Sequence, residues 1–280
     1  MNIFSMTSMA MTTVSLVIRY CGTAVGMSAS EAAQFSVSGS YSATISVTSD
    51  STSYTISSSG MPDHAWQSVN PNSPTNQNHV VTVPKTPTVA STKGCLPMGQ
   101  IAITRTGVSL YNPLAQGYVN AVEGSSAETF DSCDGHPTNR GDYHYHKLPQ
   151  SCLWQNEADY LIGLAMDGYP IYGPNTTGYF AWLTTSDLDD CHDMTVGGEY
   201  RYVATTDFPY LLGCYNGVVL DSTFDTTYGC SSSTDYSSWN GYPCSCHELT
   251  SSKAHSPGTS FTRVVTLVAL VVLTTVIRQF

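Results

Sequence analysis

Tyr143-His144-Tyr145-His146 is the stretch whose reading decides what this chain builds. In an extended segment successive side chains point to opposite faces, so both imidazoles share one face and both phenol rings the other. Positions two apart lie roughly 6.5–7 Å along a strand, close enough for two imidazoles to converge on one small target. Neutral imidazoles relieve such crowding by donating lone pairs to a divalent ion at about 2.0–2.1 Å. Just upstream, Phe130-Asp131-Ser132-Cys133-Asp134-Gly135-His136-Pro137 adds a third imidazole and two carboxylates. A turn at Pro137 to Gly141 brings His136 back towards the pair.

These residues define a candidate metal site for one zinc or copper ion. His136, His144 and His146 are its core, and Asp131 or Asp134 completes the shell; His64 cannot be placed by spacing and, read alone, is a surface or packing residue. Asp131 and Asp134 are also candidates for accepting an imidazole N–H and fixing its tautomer. The competing reading is that the histidines face water while the tyrosines pack inward. The acidic run Asp187 to Asp193 lacks the glycine and the closing glutamate of an EF-hand loop, and reads as a helix cap beside a disulfide.

Of the 280 residues, 41% are hydrophobic and 11% charged, with a formal net charge of −11. Such a chain builds a core, and its charge opposes nucleic acid, whose phosphates demand a basic patch. No Walker loop, nucleophile elbow or dinucleotide fingerprint is present, so nucleotide-dependent and serine-hydrolase chemistry is not expected.

Nine cysteines are present. Setting Cys21 aside with a leader leaves eight, an even number that in an exported chain reads as a disulfide framework with 105 connectivities. Proximity favours Cys133–Cys152, closing a loop round the tetrad, and Cys191–Cys214. Cys230, Cys244 and Cys246 would tie the tail to Cys95. Asn175-Thr176-Thr177 is a glycosylation sequon.

The expected organisation is a signal peptide over residues 1–30, a β-rich domain over 34–248, a stalk over 249–263 and a hydrophobic tail over 264–280. The run 264–277 gives a helix of about 21 Å, short of a ~30 Å hydrocarbon core. Behind a small-residue spacer it reads as a GPI-attachment signal, against a single-pass anchor over 261–280. The membrane is therefore the expected partner, and the cell exterior the expected location.

The fold class is mainly β, a disulfide-stapled, β-sandwich-like or irregular β-rich single domain with little helix. Strands are expected at 41–47, 52–56, 80–83, 100–111, 143–147, 160–166, 169–172, 199–204 and 217–220, with Asp167-Gly168 a hairpin turn. Thr185-Ser186-Asp187 is the one good helix start, its hydroxyl and carboxylate capping a short turn through 187–193. No repeat of 20–50 residues is visible.

The chain resembles the YHYH-domain family. The resemblance is carried by Phe130-Asp131-x-Cys133-x-Gly135-His136-Pro137, Gly141-x-Tyr143-His144-Tyr145-His146, Cys152-Leu153 and Ile162-Gly163. It continues through Asp167-Gly168-Tyr169-Pro170-Ile171-Tyr172-Gly173-Pro174, Asp187-Leu188-Asp189-x-Cys191-His192 and Pro209-Tyr210-x-x-Gly213-Cys214. Gly60-Met61-Pro62-Asp63-His64 and Asn70-Pro71-Asn72 resemble its amino-terminal segment, so the similarity spans about residues 56–220. It implies an exported protein and raises His64 as a fourth imidazole, without implying a reaction. Asp134 departs from the family, where a small residue such as glycine is expected. A metal-dependent hydrolase or oxidoreductase using the same cluster, and a metal-free structural surface protein, are the alternative functions.

Overall fold

A computed structural model describes residues 25–38, 40–178 and 182–220. The leader up to residue 24, Cys230, Cys244, Cys246, the stalk and the hydrophobic tail lie outside the described residues. Among the described residues no helix is long and apolar enough to cross a membrane.

The fold is mainly β, with an eight-stranded sheet at its centre. A separate antiparallel sheet joins β1 (Ile45–Ser49), β2 (Ser53–Ser58) and β3 (His79–Pro84). Two-stranded pairs are formed by β4 (Val89–Gly94) with β15 (Tyr215–Gly217), and by β7 (Leu114–Ala115) with β8 (Val119–Asn120). The large sheet uses β5 (Gln100–Thr104), β6 (Ser109–Tyr111), β9 (Gly135–Pro137), β10 (Tyr143–Tyr145), β11 (Leu161–Ala165), β12 (Pro170–Tyr172), β13 (Asp193–Val196) and β14 (Glu199–Val203). Their spatial order is β13-β14-β12-β11-β5-β6-β10-β9.

The central strands explain their own position. Ile101, Ala102, Ile103, Leu161, Ile162, Leu164 and Ala165 are all buried, as befits strands covered on both faces. The expected strand over 100–111 is two strands, because Gly107, at φ 87°, closes a tight turn between them. The Asp167-Gly168 turn does join β11 to β12, with Gly168 at φ 91°.

The carboxyl-terminal hairpin differs from expectation. The short turn expected through 187–193 is a 3-10 turn confined to Thr185–Asp187. Leu188 is already extended, the Asp189 carboxylate takes the backbone N–H of Cys191 and Asp193, and Asp193 opens β13. A side chain that binds the backbone this way competes with helical hydrogen bonds. Disulfides join Cys133 to Cys152 and Cys191 to Cys214, both pairings expected from proximity.

Upstream of the first strand, α1 (Ala29–Ala32) is closed by a Ser28–Glu31 capping box. Met27 and Phe35 belong to the hydrophobic core, so the packed chain begins before residue 34.

Candidate metal centre

β9 and β10 run antiparallel with His136 directly opposite His144. Residues so paired project to the same face, and His146 joins them one alternation further along. The turn between the strands holds by hydrogen bonds from Thr138 N to Asp142 O and from Gly141 N to Thr138 O, each 2.9 Å. Gly141 sits at φ 82°, and a Cβ there would lie 2.2 Å from Thr75 Oγ1. Tyr143 and Tyr145 occupy the opposite face, both fully buried.

The three imidazoles meet tip to tip. His136 Nε2 and His146 Nε2 each lie 3.1 Å from His144 Nε2. Glu128 closes the ring, its Oε2 lying 2.9 Å from His136 Nε2 and 3.2 Å from His146 Nε2. These are the four groups that share one potential ion position. A tetrahedral ion at about 2.0–2.1 Å separates its ligand atoms by roughly 3.3 Å, close to the contacts seen here.

Proton placement explains why the contacts are not ordinary hydrogen bonds. His136 Nδ1–H donates to Thr129 O at 2.9 Å, His144 Nδ1–H to Asp142 O at 3.0 Å, and His146 Nδ1–H to Asn112 O at 2.6 Å. A carbonyl oxygen only accepts, so each neutral ring carries its proton on Nδ1 and presents a lone pair at Nε2. Three lone pairs and a carboxylate oxygen therefore face one another. Glu128 Oε2 is buried and has no hydrogen-bond donor, which normally costs about 1–3 kcal/mol. A cation at the centre would satisfy all four groups together.

Protonation is disfavoured at the middle ring. Burial first, then the neighbouring His146 and His136, push His144 well below the ordinary histidine range.

The surrounding side chains hold the rings from behind. Tyr111 stacks on His144 with centroids 3.8 Å apart, and its hydroxyl donates to Asp142 Oδ2 at 2.7 Å. The other carboxylate oxygen of Asp142 lies 3.2 Å from His79 Nε2. Phe130 packs against His136 and His146, and Lys147 lies over the Phe130 ring while pairing with Asp134 at 2.7 Å.

Of the residues singled out from the sequence, His136, His144 and His146 are brought together. The other three are not. His64 lies on the tyrosine face, where its Nε2 is 2.7 Å from the Tyr145 hydroxyl. Its nearest potential ligands are Cys133 and Cys152, whose sulfurs are already joined. Asp131 holds no imidazole. It takes Cys133 N at 2.8 Å and Gly135 N at 3.2 Å on one oxygen, and the Tyr143 hydroxyl at 2.8 Å on the other. Asp134 is engaged by Lys147, and its backbone is left-handed at φ 66°. That conformation is the physical reason a glycine suits this position better.

Glu128 is the residue that sequence reasoning missed. It lies in the irregular segment Gly124 to Phe130, with no periodicity to give it a face. Its one sequence signal is adjacency to Thr129, whose carbonyl orients His136.

Residues 80–180 match the family model described as YHYH protein. That stretch contains all four converging side chains and is narrower than the resemblance read over 56–220. Neither the curated proteins nor the solved structures contain a match to this chain.

Proposed function

We propose that this chain, which carries a YHYH-family domain over residues 80–180, holds one transition-metal ion on His136, His144, His146 and Glu128. The observation that carries this reading is the meeting of three Nε2 lone pairs with a buried carboxylate oxygen that has no hydrogen donor. Imidazole and carboxylate in a four-cornered arrangement suit zinc first, and copper second.

Glu128 takes the fourth corner, so the geometry favours a domain that retains an ion over a hydrolase or oxidoreductase, which needs an open coordination position. The two disulfides suit an oxidising exterior. We place the domain outside the cell, tethered at the membrane through the apolar run 264–277.

Elemental analysis of the secreted protein after mild dialysis tests the reading. About one zinc or copper ion per chain is expected, falling to background in His144→Ala/His146→Ala. Native protein without stoichiometric metal sinks it. Release from cells by a phosphoinositide-specific phospholipase supports the lipid tether, and resistance supports a spanning segment.

A further inference from the structure

Ile101-Ala-Ile-Thr-Arg-Thr-Gly107-Val-Ser-Leu-Tyr111-Asn-Pro113 and Ile162-Gly-Leu-Ala-Met-Asp-Gly168-Tyr-Pro-Ile-Tyr172-Gly-Pro174 are the same pattern displaced by 61 residues (Gly168 against Gly107). The backbone repeats with it, bond for bond. Gly107 N donates to Thr104 O and Gly168 N to Ala165 O, both at 2.9 Å. Thr104 N donates to Val108 O at 2.9 Å, and Ala165 N to Tyr169 O at 3.0 Å. Asn112 N donates to Gly99 O at 2.9 Å, and Gly173 N to Tyr160 O at 3.0 Å.

The two hairpins also face each other symmetrically. Arg105 N donates to Ile162 O, and its counterpart Met166 N donates to Ile101 O. Between β11 and β5, Leu164 pairs with Ile103, its own counterpart. Gly163 pairs with Thr104, as Ala165 does with Ala102. A twofold axis through the Ile103–Leu164 pair produces this exchange.

The outer hairpins obey the same axis. Asp131 caps Cys133 N and Gly135 N, and Asp189 caps Cys191 N and Asp193 N in the same way. The residue between is left-handed in both, Asp134 at φ 66° and His192 at φ 73°. Each cysteine forms a disulfide. Tyr145 pairs in parallel with Leu110, and Tyr202 with Ile171. Tyr145 also pairs with Gly135, and Tyr202 with Asp193. Tyr143-His144-Tyr145 thus corresponds to Tyr200-Arg201-Tyr202.

Register then names the counterpart of each proposed histidine ligand. His136, opposite His144, corresponds to Met194, opposite Arg201, and His146 corresponds to Val203. The tyrosine beneath is retained, but its partner changes. His144 stacks on Tyr111 at 3.8 Å, whereas the Arg201 guanidinium lies over Tyr172 at 4.3 Å. A carboxylate still completes the arrangement, Asp159 Oδ1 at 2.7 Å from Arg201 Nη1. A buried guanidinium over an aromatic face and against a carboxylate is a permanent cation that needs no ion.

We infer that the eight-stranded sheet is an internal duplication, and that its second copy has replaced the metal centre with the fixed charge of Arg201. One chain thus carries one ion and one guanidinium in equivalent half-sites. The metal part of this inference rests on the function proposed above.

Two substitution sets test it. Met194→His/Arg201→His/Val203→His restores the imidazoles to the second copy. Cobalt(II) titration of the folded variant, followed by gel filtration, should retain two equivalents where the parent retains one. A folded variant that keeps only the first equivalent overturns the inference. A parent that keeps none sinks the metal reading instead.

The reverse exchange tests it whatever the grafted variant does. His144→Arg, lacking metal, should melt at least about 4 °C above His144→Ala, also lacking metal, because the guanidinium supplies the missing charge. Equal melting temperatures overturn it.

Discussion

Gly135→Ala tests the packing that aims the histidines. A Cβ at Gly135 would lie 2.5 Å from Cζ and the hydroxyl oxygen of Tyr143, and 2.6 Å from Cε1. Ordinary carbon contacts lie at about 3.5–4.0 Å, so the overlap is about 1 Å. Tyr143 is fully buried and its hydroxyl donates to Asp131 at 2.8 Å, so the ring moves only by losing that bond. Overpacking costs about 1–3 kcal/mol, and a hydrogen bond to a charged group contributes about 1.5–3 kcal/mol. A combined loss of about 3 kcal/mol lowers the melting temperature of a domain this size by roughly 6–12 °C. Thermal unfolding followed by near-ultraviolet circular dichroism reads it directly. In a Tyr143→Leu background the same glycine substitution should cost under about 1 kcal/mol, because the colliding ring is gone. If Gly135→Ala melts within about 1 °C of the parent, the ring does not rest on Gly135 and the account of the tyrosine face is wrong.

Three further outcomes follow from other parts of the fold. Replacing both Cys133 and Cys152 by serine opens a cross-link with a sequence separation of 19, for an expected loss of about 3 kcal/mol in urea unfolding. Because His136, His144 and His146 all lie between those cysteines, retained metal should fall too, and unchanged metal content would contradict this coupling. Asp134→Gly should be neutral or stabilising by up to about 1 kcal/mol. It relieves a left-handed residue at φ 66° and loses only a part-exposed pair with Lys147, and clear destabilisation in urea would show that the pair matters more than the backbone. Burial first, then Asp189, pushes the Asp193 carboxyl up to about 9, while an unfolded aspartate titrates near about 3.9. The native state therefore keeps a proton that the unfolded chain releases. This contribution to stability is complete below about pH 4 and is lost as pH rises towards 9. Asp193→Asn should flatten that decline in melts across the window, and an unchanged slope would refute the assignment.

The alternation in Tyr143 to His146 made the division of faces legible, and the upstream turn made the partnership with His136 legible. Both depend on near neighbours, where strand period and turn chemistry act. Asp131 was ambiguous because an aspartate beside a histidine motif is equally suited to capping a turn, and here the turn N–H groups claim it. Glu128 was hidden because its place depends on how an irregular segment folds back over the sheet. The duplication escaped a search for short periods for a different reason. The inner hairpins differ by 61 residues and the outer ones by 58 at the cysteines (Cys191 against Cys133), so no single spacing aligns both. The pairing register, rather than identity, makes the correspondence visible.

The backbone carbonyls that hold the three Nδ1 atoms have a kinetic consequence. Rings pinned at the back cannot swivel, so capture of the proposed cation would require little rearrangement of the sheet. Glu128 alone among the four arrives from an irregular loop, and its side chain, at 30%, is more exposed than those of His136 and His146, at 9% and 4%. For the proposed ion its carboxylate would be the door, and loading and escape rates should follow the swing of that one arm.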